Sequence, residues 1–443
     1  MFKILKNAWS VPDLRKKILI VLGLLLVFRF GAHIPVPGVN SEVWKASLEN
    51  AGGFFGMINI ISGGAFESIS IFAMSITPYI NASIIIQLLT VALPPLEKMS
   101  KEGNEGRKKL AQFTRYGTIV LAIIQGIGIA VSLGRTEGVL YSTDFFTYFT
   151  IVLSLTAGTA FIMWLGEQMT EYGIGNGTSL IIVSGILSRI PGATTSLLTS
   201  TKAVVFEAGK IVSWSAIGVV KFAAIIAVMV LLIAAVVWVQ KAERRIPVQY
   251  AKRVVGRKMY GGQASHIPMS VSMAGVMPII LAMSLMMFPT MIISAVTGGN
   301  PTGIWESISN TLTISSESTA LQTAIYCLIY TLLIVGFAFF YTIIVFNPVE
   351  VANNLKKNGG FIPGIRAGKP TADYLSGILN KITLFGAIFI AFIAIFPVIA
   401  QAVTGVQLGF GGTALLIVVG VALEIVKQLE AQLVMKHYKG FLD

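Results

Sequence analysis

The sequence predicts an all-α, polytopic membrane protein. Mean hydropathy is +0.79 over 443 residues, with 55% hydrophobic and only 12% charged residues, a balance foreign to soluble domains. Ten apolar runs punctuate the chain, most of them near the twenty residues that a helix needs to cross a bilayer core of about 30 Å. Lysine and arginine sort to one side once those runs are drawn in. Backbone groups in hydrocarbon must be satisfied internally, and runs of this length do so as helices and not as barrel strands.

The runs cover residues 18–34, 71–93, 114–133, 145–165, 178–190, 217–239, 273–296, 321–346, 382–403 and 408–426. With the N-terminus inside, 26 of the 33 Lys and Arg residues fall on the cytoplasmic side. The fifth run is short, at 13 residues, yet it is needed. Without it everything downstream flips, and the split becomes 15 inside against 18 outside. An even count of spans then leaves both termini in the cytoplasm.

The first run follows Lys3, Lys6, Arg15, Lys16 and Lys17, as a secretory leader would. It is longer than a leader core, lacks a small-residue cleavage pattern and is followed by nine more runs, so it is expected to stay in the chain. The single cysteine, Cys327, lies inside run eight and rules out an intramolecular disulfide or a thiolate cage. His33, His266 and His437 lie in different segments and suggest no zinc or haem site.

Ion-coupled transporters place ionisable groups near the membrane midplane. Here Arg29, Lys221, Glu167 and Glu424 lie toward run ends, within snorkelling distance of water. Gly364 to Thr371 has neither the spacing nor, with Pro370, the chemistry of a phosphate loop. Gly173-Ile174-Gly175-Asn176-Gly177 follows a membrane run instead of a strand and fits a tight turn between runs four and five. No energy-transducing site and no cofactor is expected, so a transport function would be driven by a partner.

Five spans in residues 1–190 and five in 217–443 imply two halves of opposite orientation, with 191–216 as the hinge between them. Inverted halves form a pathway at their interface. Residues 54–66, reading FFGMINIISGGAF, are apolar but too short to cross. A short helix dipping back into the membrane and one lying on the outer interface both fit. The cytoplasmic loops 240–272 and 347–381 are far longer than a reversal needs. Lys252, Arg253, Arg257 and Lys258 cluster in the first, and Arg366 follows Pro363-Gly364 in the second. Long loops with basic tips suit docking to an acidic partner such as ribosomal RNA or a motor protein, whereas topological anchoring accounts only for charges near span ends.

The stretches SISIFAMSITPYINASIIIQLLTVALP, GRKKLAQFTRYGT, WLGEQMTEYGIGNGTSLII, MAGVMPII, YTIIVFNPVEVANNLKKNGGFIPGIRAGKPTADYL and FGGTALLIVV closely resemble the SecY family, the channel subunits of the bacterial protein translocase. The resemblance runs from about Arg15 to Met435. It implies an hourglass of ten helices in two halves, in the bacterial cytoplasmic membrane, clamped by SecE and accompanied by SecG. Secretory chains would cross its waist, driven by SecA or by the ribosome, and greasy segments would leave sideways into lipid. No enzymatic activity is implied.

By the same resemblance Ile76, Ile80, Ile182, Ile280 and Ile417 form the aliphatic ring at the waist, while Thr178 stands where the family often has another aliphatic residue. Residues 54–67 correspond to the plug, with Ile58, Asn59, Ile60, Ile61, Ser62, Gly63 and Gly64 at its core. Asn81, Gln125 and Ser284 are the polar candidates across the sideways gate of runs two, three, seven and eight. Arg253, Arg257, Lys258 and Arg366 match the loop tips that meet SecA and the ribosome. The ring chemistry is apt, because an apolar constriction grips no particular side chain and can exclude ions by dewetting. The competing reading is a secondary transporter for a small solute.

Overall fold

A computed structural model describes residues 2–50, 62–201, 204–207, 210–250, 253–255, 258–260, 264–273, 275–297, 302–313, 319–404 and 412–439. It is mostly helical. An amphipathic helix α1 (Phe2–Ser10) leads into α2 (Pro12–Gly31) and α3 (Ser41–Asn50). Then come α4 (Thr77–Ala92), α5 (Pro94–Lys101), α6 (Asn104–Arg135), α7 (Phe145–Tyr172), α8 (Gly177–Ser188) and α9 (Ile190–Ser200). A hairpin of β1 (Val204–Glu207) and β2 (Lys210–Trp214) precedes α10 (Ala216–Lys241). Four strands follow: β3 (Glu243–Tyr250), β4 (Arg253–Val255), β5 (Lys258–Tyr260) and β6 (Ala264–Ser270). The chain continues with α11 (Met277–Thr297), α12 (Ile304–Leu312), α13 (Ala320–Val345), α14 (Pro348–Lys357), β7 (Gly360–Phe361), α15 (Lys369–Thr404) and α16 (Gly412–Lys439).

Among the described residues six helices are long and apolar enough to cross a membrane, and a seventh if α4 and α5, bent by 101°, make one span. The expected ten is therefore not reached by length and apolarity alone, although α2, α4, α11 and α16 lie on runs one, two, seven and ten. α2 falls short because Arg15, Lys16, Lys17 and Arg29 crowd its 20 residues.

Run two is corrected. A single helix over 71–93 is expected, but residues 62–76 form successive turns and the helix begins at Thr77. Ser75 takes φ +51°, which no helix continues through, and Pro78 sits in the first turn, where its missing N–H costs nothing. The Ile71 amide bonds the Ile34 carbonyl at 3.0 Å and the Val36 amide bonds the Ile69 carbonyl at 2.8 Å. The segment is thus a series of turns stitched to the chain leaving α2 and not a continuous helix.

The fold is all-α in class, and short antiparallel sheets add to it in the loops. β3 pairs with β6 from Glu243↔Ser270 to Gln249↔Ala264, and β7 joins β3 at Gln249↔Phe361. Ile246 and Val248 alternate inward, as a half-buried strand requires. They bury against Met269, Leu355, Ile362, Leu375 and Leu379. Loops 240–272 and 347–381, which look independent in the sequence, are thus packed together through β3, β6 and β7.

Candidate pore constriction, plug and gate

α4 places the first two ring candidates. Ile76 is its N-cap residue, and the Ile76 carbonyl accepts the Ile80 amide at 3.1 Å, so the two are one turn apart on one wall. Ile182 lies on α8, Ile280 on α11 and Ile417 on α16. Ile76, Ile182, Ile280 and Ile417 are buried in one apolar cluster with Phe72, Leu180 and Val421, and Ile80 packs against it. Five isoleucines that lie up to 341 positions apart are brought together, four of them buried and Ile80 half-buried.

Thr178 is half-buried at the start of α8. Its hydroxyl bonds Asn176 Oδ1 at 2.7 Å and its amide bonds the same oxygen at 3.0 Å, so its polar atom belongs to the helix cap. Its methyl and the Ile76 side chain both border Gly166, each within 3.5 Å of where a Cβ there would stand. The hydroxyl points into the cap while the methyl meets the cluster.

Of the plug candidates, Ile58, Asn59, Ile60 and Ile61 lie outside the described residues, and so does the rest of 54–57. Ser62 and Gly63 are buried, and Ser62 Oγ accepts the Phe66 amide at 3.1 Å. Gly63 and Gly64 take φ +65° and +89°, open to glycine alone without strain. A Cβ on Gly63 would stand 2.4 Å from Gly185 Cα. The Gly63 carbonyl accepts Arg29 Nη1 at 3.1 Å and lies 3.1 Å from Ser188 Oγ. Trp44 Nε1 donates to the Phe66 carbonyl at 3.1 Å, with the two rings edge to face. Glu67 pairs with Lys45 at 2.9 Å and lies 3.8 Å from Arg189.

The gate candidates Asn81, Gln125 and Ser284 are all buried, on α4, α6 and α11. α11 packs on both α4 and α6, and on α13. The expected polar seam is incomplete, because Gln125 Nε2 is buried without a hydrogen-bond partner. An unmet amide in an apolar surrounding costs about 1–3 kcal/mol.

At the loop tips, Arg253 lies in β4 and Lys258 in β5, whose pairing runs Arg253↔Tyr260 to Val255↔Lys258. Arg257 lies outside the described residues. Arg366 is exposed in the turn after β7, with its carbonyl accepting the Thr371 hydroxyl at 2.8 Å.

Sequence reasoning missed Arg29, Trp44, Ser188 and Arg189 as neighbours of the plug segment. A backbone carbonyl as acceptor leaves no trace in residue types, so only Arg29 and Arg189, charges inside apolar runs, offered a signal.

A family model described as SecY matches residues 70–426. Protein translocase subunit SecY of Streptomyces scabiei is 44% identical over 98% of both chains. That of Halalkalibacterium halodurans is 45% identical over the whole of both. Among solved structures, a protein conducting channel superposes with TM-score 0.65 at 19% identity, covering 94% of this chain and 92% of that one. Sec61 from a canine ribosome-channel complex gives 0.62 at 18% identity, over 94% and 92%. A buried apolar cluster that gathers isoleucines from four separated helices is thus found in a chain alike over its full length to translocase subunits, and the chain belongs to the SecY family of protein translocase subunits.

Proposed function

We propose that this chain forms the conduit through which unfolded secretory polypeptides cross the bacterial cytoplasmic membrane, with greasy segments leaving sideways between α4 with α6 and α11 with α13. The observation that carries it is the convergence of Ile76, Ile80, Ile182, Ile280 and Ile417. Branched hydrocarbon offers a passing chain no specific bond, so many sequences slide through. Water leaves a narrow greasy ring readily, and ions cannot follow without it.

In this reading residues 1–190 and 217–443 are halves that part about 191–216, and residues 54–67 close the pathway from the outside. Both termini and the basic loops lie in the cytoplasm, where Arg253, Arg257, Lys258 and Arg366 meet SecA or ribosomal RNA. A clamp of the SecE kind and a SecG-like subunit complete the channel, and the net charge of +13 favours the anionic inner leaflet. Membership of the SecY family leaves the small-solute transporter without support.

The test is to stall a secretory chain in the membrane and crosslink it to probes at positions 76, 80 and 182. Crosslinks at all three positions are expected. Labelling by lipid probes instead, with none from the stalled chain, would overturn the reading.

A further inference from the structure

We propose that Arg135, by hydrogen bonding to the last carbonyl of α11, ties the outer end of the sideways exit and sets how greasy a segment must be to leave through it. This rests on reading α4, α6, α11 and α13 as that exit. It adds a specificity-determining residue to that reading.

The C-termini of α6 and α11 meet. α6 closes on Arg135, the basic residue of its last turn, whereas the last turn of α11 has none. Arg135 Nη1 donates to the carbonyl of Thr297, the final residue of α11 and 162 positions further along the chain. Carbonyls in the last turn of a helix have no partner within it, and the aligned peptide dipoles leave a partial negative charge there. Two such ends repel each other, and one guanidinium shared by them attracts both. Among the described residues Arg135 pairs with no carboxylate, so its charge is left to the two helix ends.

The tie matters because little else polar crosses this seam. Nearer its start α6 is bound within its own half, where Arg115 Nε pairs with Glu167 of α7 at 2.8 Å. Arg135 makes the one side-chain hydrogen bond between α6 and α11 among the described residues, while Gln125, further back on α6, has its amide nitrogen buried and unmet. Apolar contact holds two membrane helices weakly, since lipid tails offer the same contact to each of them. A greasy segment entering between α6 and α11 therefore replaces their packing at small net cost. It cannot replace the Arg135 bond, because an apolar side chain has no acceptor to offer. Arg135 is exposed, so water meets the freed guanidinium and the parted state stays within reach. The bond is a bias against release and not a lock, and it discriminates most among segments of marginal greasiness.

The experiment presents test segments of graded leucine content to proteoliposomes that hold the full translocase complex, and reads, among engaged chains, the fraction recovered in the membrane. Arg135→Gln should release marginal segments about threefold more readily, the order of effect that one cation at a helix C-terminus supplies. Arg135→Lys keeps the charge and loses the planar fork, so it should fall between the two, and it carries the test should Arg135→Gln fail to assemble. Raising salt from about 0.1 M to about 1 M should move the wild type toward Arg135→Gln and leave that variant in place, because screening weakens a charge and not a packing contact. Equal release by assembled wild type and variant, or a salt response that Arg135→Gln shares, would overturn the tie while leaving the exit in place. In a separate arm, Arg135→Cys and Thr297→Cys in a Cys327→Ala background are joined by a short bifunctional maleimide, which should abolish sideways release. Release that survives this crosslink would instead overturn the reading of α6 and α11 as the exit on which the tie stands.

Discussion

The backbone amide of Gly175 donates a 2.8 Å hydrogen bond to Oε1 of Gln428, a residue 253 positions further along the chain. Gly175 takes φ +88°, and a Cβ there would stand 3.3 Å from Ile425. Next to it Ile174 is buried with Ala8, Leu14 and Leu429. The glycine-rich turn between α7 and α8 is thus a socket for α16, and it joins the first half of the chain to its last helix.

Gln428→Leu should weaken that joint. Losing one half-buried neutral hydrogen bond costs about 0.5–1.5 kcal/mol, more if the amide is left unmet. Thermal unfolding of the purified complex in detergent should shift down, whereas an unchanged transition would mean that Ile174 packing alone holds the socket.

Making the constriction polar should let ions through. Ile80 is half-buried whereas Ile76 is 1% exposed, so Ile80→Ser disturbs packing less while placing a hydroxyl at the cluster edge. A wetted ring conducts, and resting conductance in planar bilayers should rise with the fold intact. Wild-type conductance in a properly assembled variant would remove Ile80 from the ring.

Gln125 carries a cost in this arrangement, since its amide nitrogen is buried without a partner. Gln125→Met, of similar length and apolar, should tighten the packing of α6 on α11 by about 1–3 kcal/mol. Sideways release of marginally greasy test segments should then fall, as measured by the fraction recovered in the membrane. Equal release would place the sideways exit elsewhere in the bundle.

Arg366→Glu should impair SecA-driven export while leaving stability alone. The side chain is exposed, and the turn is held through the Arg366 carbonyl, which the substitution keeps. Export assays in inverted vesicles read the first effect and thermal unfolding the second. Normal export would dissociate Arg366 from motor docking.

The membrane class and the positions of most helices were legible in the sequence. Hydrocarbon imposes a length and an apolarity on every span, so runs such as 217–239 appear as α10 almost without change. The ring candidates came through resemblance, because an isoleucine facing lipid and one facing a pathway have the same chemistry. Run two misled because its apolar residues continue from 71 to 93, while the positive φ of Ser75 and the tie between Ile71 and Ile34 are decided by neighbours far outside it. The loop sheet was missed because Ile246 and Val248 find their cover on Leu355 and Leu375, more than a hundred residues away.

By itself the sequence determined where hydrocarbon must surround this chain, how many charges stay out of it and which family it resembles, since those follow from composition and local order. Only the tertiary structure decided that Ile76, Ile182, Ile280 and Ile417 share one buried cluster, that Gln428 reaches Gly175 and that Arg29 and Ser188 converge on Gly63. The physical reason is that packing and backbone hydrogen bonds depend on which helices meet. A carbonyl looks alike at every position until the fold brings a donor to it.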